Sequence, residues 1–382
     1  MITSKLPNVG TTIFTTMSQL AADFGAINLS QGFPDFNGPQ GLLDAAARHI
    51  AAGHNQYSPM TGLPTLRHQV AAKLVRAYGA AVNPDTEITI TPGATEAIFC
   101  AIQAVVRSGD EVIVFDPCYD SYAPSVELAG GKCVHVKLDP GNFTIDWQRF
   151  SDALTSRTRM VVLNSPHNPS GALITRDDLD QLAVLIGDHD IYVISDEVYE
   201  HLIYDGVQHA SVLAHAQLYA RSFVVSSFGK TYHVTGWKTG YVVAPPALTT
   251  EWRKVHQYVN FCGVTPLQWA LADFMAEHPE HLDALPAFYQ AKRDLFCDLL
   301  KGSRFTFTPS PGTYFQLVDY ERIRPDLDDL QMAEWMIREH GVAAIPVSAL
   351  YQSPEPGQRL LRLCFAKKEE TLRQAAEKLC LI

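Results

Sequence analysis

Short apolar runs rich in β-branched residues alternate with amphipathic stretches along the first two-thirds of the chain. Runs at 87–91, 111–115, 132–138, 159–164, 191–195, 223–225 and 240–244 read as buried strands. Stretches at 39–52, 63–78, 96–107 and 177–186 carry apolar residues at helical spacing. Residues 31–36 and 56–62, with Gly and Pro among aromatics, read as loops, and little periodicity precedes 27–30. Strands alternating with helices predict an α/β fold with a largely parallel sheet covered on both faces.

In such sheets ligands bind beyond the carboxyl ends of the strands. Polar residues collect at those ends here: Gly93-Ala94-Thr95, Tyr119, Asn168, Asp196, Tyr199 and Lys230 each follow a predicted strand. One such residue is commonplace, but a series from strand after strand predicts a site. Beyond Trp252 the pattern changes, with helices at 251–258, 267–277, 281–300, 330–339 and 368–379 and strands at 313–318, 342–345 and 360–365. This tail reads as a smaller α+β domain with its boundary near residue 272. No internal repeat or low-complexity linker interrupts the chain.

Charge narrows the partners. Thirty basic residues against 41 acidic ones give a net charge of −11 over 382 residues, which argues against nucleic acid or an anionic membrane. An anion must then be held by a local site. The 7 cysteines are scattered without Cys-x-x-Cys spacing, so neither a disulfide framework nor a metal site is expected. The first residues lack the apolar core of a signal peptide, and no apolar run approaches the ~20 residues of a transmembrane helix. The expected setting is cytoplasmic.

The densest chemistry lies at 226–238, where Ser226, Ser227, Gly229, Lys230, Thr231, Gly236 and Lys238 follow the run Phe223-Val224-Val225. A P-loop needs glycine five positions before Gly229, but Val224 stands there; a serine nucleophile elbow needs glycine where Val225 stands. What survives is a lysine just past a buried strand among phosphate-friendly groups, as expected of a lysine that forms an imine with pyridoxal phosphate.

Together, Asn28-Leu29-Ser30-Gln31-Gly32-Phe33-Pro34-Asp35-Phe36 and Ser227-Phe228-Gly229-Lys230-Thr231 resemble the class I aminotransferases of pyridoxal-phosphate fold type I. The likeness is to the branch holding kynurenine, glutamine and bacterial methionine aminotransferases, and it extends along nearly the whole chain. It implies a mostly parallel seven-stranded sheet with helices on both faces. It further implies a large cofactor-binding domain over 35–271, and a small domain from 1–34 with 272–382.

The resemblance implies roles for particular residues. Lys230 holds the cofactor and shuttles the proton, Asp196 keeps the ring nitrogen protonated, and Tyr199 with Asn168 bonds the ring oxygen. The phosphate falls to Gly93, Ala94, Thr95, Ser227 and Lys238, where many relatives carry Arg; lysine supplies charge without the bidentate fork. Tyr119 stacks on the ring. Tyr57 reaches the phosphate of a neighbouring subunit, implying a homodimer with shared sites. Arg362, in an otherwise apolar strand, takes the substrate carboxylate with help from Asn168 and Gly32; Arg359 is the weaker candidate.

Ile13, Phe14, Phe33, Tyr57, Tyr119, Tyr258 and Phe261 are candidates for an apolar side-chain pocket. No second arginine matches the position that serves dicarboxylic substrates. The expected activity is amino transfer from a hydrophobic, aromatic or sulfur-containing amino acid, methionine favoured, to a 2-oxo acid. A carbon–sulfur β-lyase on the same cofactor is the rival, and a non-catalytic cofactor-binding or interaction protein the distant one.

Overall fold

The computed structural model describes residues 2–355 and 357–382. Twelve strands run, in chain order, β1 Ile27–Asn28, β2 Ile88–Thr91, β3 Glu111–Asp116, β4 Lys132–Lys137, β5 Thr158–Asn164, β6 Tyr192–Asp196, β7 Ser222–Ser227, β8 Gly240–Val243, β9 Phe315–Asp319, β10 Val342–Ala343, β11 Ile345–Pro346 and β12 Leu360–Cys364. Seven of them form one sheet in the order β2-β8-β7-β6-β5-β3-β4. β8 is antiparallel to both its neighbours, and the other pairings are parallel.

The reversed β8 matters to the site. Its first residue, Gly240, pairs with both Thr91 and Ser227. The turn that leads into β8, bearing Lys238, therefore arrives at the edge where β2, β6 and β7 end.

Each sheet face has its own core. Val193 of β6, Val224 of β7 and Tyr241 of β8 pack beneath helices Gln40–Ala51, Pro64–Tyr78 and Arg176–Ile186. Ile194, Val225 and Val242 point the other way, toward helices Ala94–Val105 and Pro246–Val259. The alternation follows from the two-residue repeat of a strand. Because both faces are covered, these strands read as continuous apolar runs in the sequence.

A third core joins the chain's two ends. Met17, Ala21 and Leu29 pack with residues of helices Glu280–Leu300 and Glu369–Leu379 and with β9–β12. β1 pairs parallel with β10, and β11-β12-β9 form a small antiparallel sheet.

Three details depart from the sequence reading. Helix Ile13–Asp23 lies where little periodicity was visible. Its stripe is narrow, burying Met17 and Ala21, and Thr12 caps it by accepting from the Thr15 amide. The run 342–345 is not one strand, since Ala343 pairs toward Asn28 and Ile345 toward Arg362. Residue 272 falls inside helix Thr265–Glu277, whose buried Leu271, Ala272, Phe274 and Met275 join the large sheet's core. No helix among the described residues is long and apolar enough to cross a membrane.

Candidate active site

At the carboxyl edge of the sheet a cleft of ≈ 300 Å³ opens between the large sheet and the third core. Gly32, Phe33, Gly93, Ala94, Thr95, Tyr119, Asn168, Asp196, Tyr199, Ser227, Lys230, Lys238 and Arg362 all line it. The fold thus gathers into one cavity the residues that the sequence reading assigned to the cofactor and the substrate carboxylate, apart from Tyr57 and the weaker candidate Arg359.

One wall offers the start of helix Ala94–Val105. The first amides of a helix lack internal partners and attract anions. Gly93 caps this helix at φ 82, a conformation that suits glycine. Lys238 Nζ lies 3.5 Å from where a Gly93 Cβ would stand, so the glycine leaves the room the lysine uses. Ser227 and Lys238 add a hydroxyl and a cation to the same cleft.

Asp196 ends β6 and is buried. Its Oδ2 accepts from the Tyr122 hydroxyl at 2.6 Å, and Oδ1 from the Val198 amide at 3.3 Å. Burial raises the carboxyl to about 6, although Tyr122, the Val198 amide and the Lys230 charge pull it down. A cationic partner in the cleft would reverse that rise. Asn164 ties the segments together: its Nδ2 donates to the Asp196 carbonyl at 2.9 Å, and its Oδ1 accepts from the Asn168 amide at 2.8 Å.

Lys230 stands on the short helix Phe228–Thr231 directly after β7. Its Nζ donates to the Tyr314 hydroxyl at 2.8 Å and to the Gly32 carbonyl at 3.1 Å. Burial lowers the ammonium to about 8, with Arg362 and Lys238 pressing the same way and Asp196 against it. A lysine so poised exchanges protons near neutral pH. Tyr199 is buried beside it, its ring centroid 5.5 Å from Nζ, and burial raises its phenol, which stays protonated.

Arg362 lies in the middle of β12 and is 1% exposed. Nη1 donates to Asn168 Oδ1 at 2.8 Å and Nη2 to the Ser30 carbonyl at 2.9 Å, while the guanidinium stacks 3.9 Å from the centroid of Phe315. Neither polar partner is charged, and Nε is buried with none. A buried cation left so incompletely paired is costly, and a carboxylate entering the cleft supplies what it lacks.

An anion-binding helix start, a buried carboxylate, a half-buried lysine and an under-paired arginine are the donor set that pyridoxal phosphate and an amino acid require. The comparisons agree with this chemistry. Residues 25–379 match the family described as aminotransferase class I and II. The chain belongs to the class I and II aminotransferases.

It is 55% identical over 376 residues to the methionine aminotransferase of Escherichia coli (strain K12), covering 98% of this chain and 97% of that protein. A crystal structure from E. coli, described as identifying a methionine aminotransferase function, superposes with a TM-score of 0.97 at 54% identity over 100% of both chains. The human kynurenine–oxoglutarate transaminase 1 is 35% identical, covering 94% of this chain and 93% of its own. Pyridoxal phosphate is the cofactor of this family.

Other candidates lie outside this aminotransferase's own cleft. Tyr57 is 84% exposed and meets Phe261 edge-on at 5.6 Å, and Tyr258 is 90% exposed. Of the proposed apolar pocket, Phe14, Phe33 and Tyr119 line the cleft. Arg359 instead donates to the Gln358 and Pro325 carbonyls.

Sequence reasoning missed Tyr314, Asn164 and Tyr122. Tyr122 had one available signal, its place three residues after Tyr119 at the start of a helix; Tyr314 had none, since its partner Gly32 is remote in sequence. The fold also assembles Glu96, Cys100 and His256, and Asp116, Cys118 and His135, from distant segments. In each group the histidine Nδ1 already meets a carboxylate, at 2.7 and 2.8 Å.

Proposed function

We propose that this aminotransferase moves the α-amino group of a hydrophobic, aromatic or sulfur-containing amino acid, methionine favoured, to a 2-oxo acid by a ping-pong route with pyridoxal phosphate. The observation that carries the reading is the pairing of Arg362 with an apolar wall. Among the described residues lining the cleft Arg362 is the one arginine; Phe14, Phe33, Ile98 and Tyr119 line the same cleft, with the Phe14 ring centroid 5.1 Å from the guanidinium. A second carboxylate would find no matching fork there, whereas methionine sulfur contacts aromatic rings favourably. The E. coli relative named for methionine and the human one named for kynurenine support the same range.

Pyridoxal phosphate, when bound, supplies the sink for the electron pair left by the α-proton. This chain's residues do the rest. Ala94 and Thr95 amides with Gly93, Ser227 and Lys238 would hold the phosphate. Asp196, ionised against a cation, would keep the proton on the ring nitrogen. Tyr199 and Asn168 would bond the ring oxygen, and Tyr119 would stack on the ring. Arg362, with Asn168 and the Gly32 backbone, fixes the substrate carboxylate and so aims the α-hydrogen. Lys230 holds the cofactor between turnovers and, once free, takes that hydrogen as a proton and returns it.

The proposal includes a homodimer in which Tyr57 reaches the neighbour's phosphate, in keeping with its exposure in one chain, and a cytoplasmic setting. It includes a division into a large domain and a small one built from both chain ends, with the joint at His278-Pro279, where helix Thr265–Glu277 has ended, rather than near 272. The β-lyase reading predicts pyruvate from cystathionine without an oxo-acid acceptor. The deciding experiment compares half-reactions with Met, Phe, Gln and Asp by the cofactor's visible spectrum. Met and Phe are expected to react fastest, and a clear preference for Asp would sink the proposal.

A further inference from the structure

The free Lys230 amine sits between two acceptors. The Tyr314 hydroxyl donates its own proton to the Gly32 carbonyl, so toward Lys230 Nζ, 2.8 Å away, it accepts. The Gly32 carbonyl, 3.1 Å from Nζ, has no proton to give. Both neighbours therefore claim an N–H of the lysine. A neutral amine has two N–H bonds and one lone pair. With both N–H bonds directed at these acceptors, the lone pair is left to face the cleft that Lys230 lines with Asp196, Tyr199 and Arg362.

We propose that Tyr314 is a further catalytic residue of the amino-transfer reaction, its hydroxyl orienting the Lys230 amine so that the lone pair faces the substrate's α-hydrogen. This rests on the reading of Lys230 as the proton shuttle. As the Cα–H bond breaks, its electron pair stays with carbon and a new N–H bond forms on Nζ. The ammonium so made keeps its bonds to Tyr314 and Gly32, and its third N–H carries the transferred proton back into the cleft. An acceptor pair suits both states, whereas a donor at either place would compete for the lone pair.

Tyr314 is built to hold its place. It is fully buried, edge-on to Tyr199 at 5.2 Å and to Phe315 at 4.9 Å, and its carbonyl accepts from the Phe365 amide at 2.9 Å. Thr313 before it adopts φ 60, a conformation rare for a β-branched residue. The Tyr204 hydroxyl bonds the Thr313 carbonyl, and Thr313 Oγ1 accepts from the Phe315 amide at 3.2 Å. An enforced backbone next to a group that touches Lys230 is the pattern of a positioned functional residue. Burial holds the Tyr314 phenol well above its ordinary range, so the proton shared with Gly32 stays in place.

Tyr314→Phe removes the hydroxyl and keeps the ring. Apo-protein of the variant is expected to bind pyridoxamine phosphate, which forms no bond to Lys230, as tightly as the wild type. Its covalent uptake of pyridoxal phosphate, trapped with borohydride, should slow about 10-fold, because the same lone pair attacks the aldehyde. Single-turnover reaction with methionine should slow by roughly 10- to 100-fold, with a larger primary isotope effect for the α-deuterated substrate. Unaltered uptake and isotope effect, beside a normal wild type, would overturn the proposal, as would a parallel loss of pyridoxamine phosphate affinity, which marks a merely architectural hydroxyl. A wild type that forms no borohydride-stable adduct overturns the underlying reading of Lys230, and the role of Tyr314 with it.

Discussion

The large sheet carries two polar clusters of similar residue types, one beneath a face and one at its carboxyl edge, with opposite outcomes. Beneath the face covered by helix Pro64–Tyr78, Lys73 pairs with Glu200. Tyr78 donates to the same carboxylate at 2.6 Å and Tyr241 at 3.1 Å, and Ser226 donates as well. Both Glu200 oxygens are thus used. Burial alone would raise that carboxyl, but the Lys73 ammonium outweighs it and holds the group well below the ordinary range. At the cleft Asp196 is driven up, Lys230 driven down, and Arg362, contributed by β12, keeps an orphaned Nε. Buried charges that neutralise one another stabilise an architecture; buried charges left facing a cavity make a site. β7 contributes to both, with Ser226 on the closed side and Ser227 on the open one.

The largest test breaks the open cluster. Lys230→Ala is expected to lower turnover by at least ~10³-fold and to abolish the borohydride-reducible link, with no loss of apo-protein stability by thermal melting. A normal turnover rate in that variant would overturn the comparison at its centre.

The closed cluster should answer in stability instead. Lys73→Met leaves a buried carboxylate unpaired, at a cost of about 3–5 kcal/mol in urea unfolding. Adding Glu200→Gln removes that charge while keeping an acceptor for Tyr241 and Ser226 and turning an amide N–H toward the Tyr78 hydroxyl, which can accept it, so the double variant should recover much of the loss. If the double variant were no more stable than the single one, the cluster would not be the self-contained unit described here.

The contrast also explains what could be read in advance. The sheet was legible because strands buried on both faces stand out as unbroken apolar runs, and the cleft because polar residues follow those runs one after another. The reversal of β8 was not, since a short apolar run carries no direction. Helix Ile13–Asp23 was hidden by its narrow stripe, and helix Thr265–Glu277 was cut by the boundary near 272 because an apolar helix in sequence does not name the core it joins. Lys230, Asp196 and Arg362 were found through local motifs. Tyr314 and Asn164 act through partners set by tertiary structure, and Lys73 and Glu200 look in sequence like an ordinary helical charge and an unrelated charge in the turn after a strand.

The smallest effect is the most specific, because it reads the cost of leaving a site open. The folded Asp196 carboxyl, at about 6, lies above the ordinary aspartate value of 3.8, so between those two values the folded chain binds more protons than the unfolded one. Stability contributed by this group is therefore present at low pH, is lost as pH rises through that window, and is gone above about 6. Asp196→Asn carries no charge at any pH. In apo-protein at pH 7.5 it should be more stable than wild type by about 1–3 kcal/mol, and near pH 4, where the wild-type carboxyl is itself protonated, the advantage should vanish. Urea midpoints at the two pH values measure this, and an equal gain at both would mean that burial of the charge is not the cause. Added pyridoxal phosphate should then invert the order, stabilising wild type more than the variant, because the cofactor's ring cation restores in the open cluster the partner that Lys73 provides in the closed one.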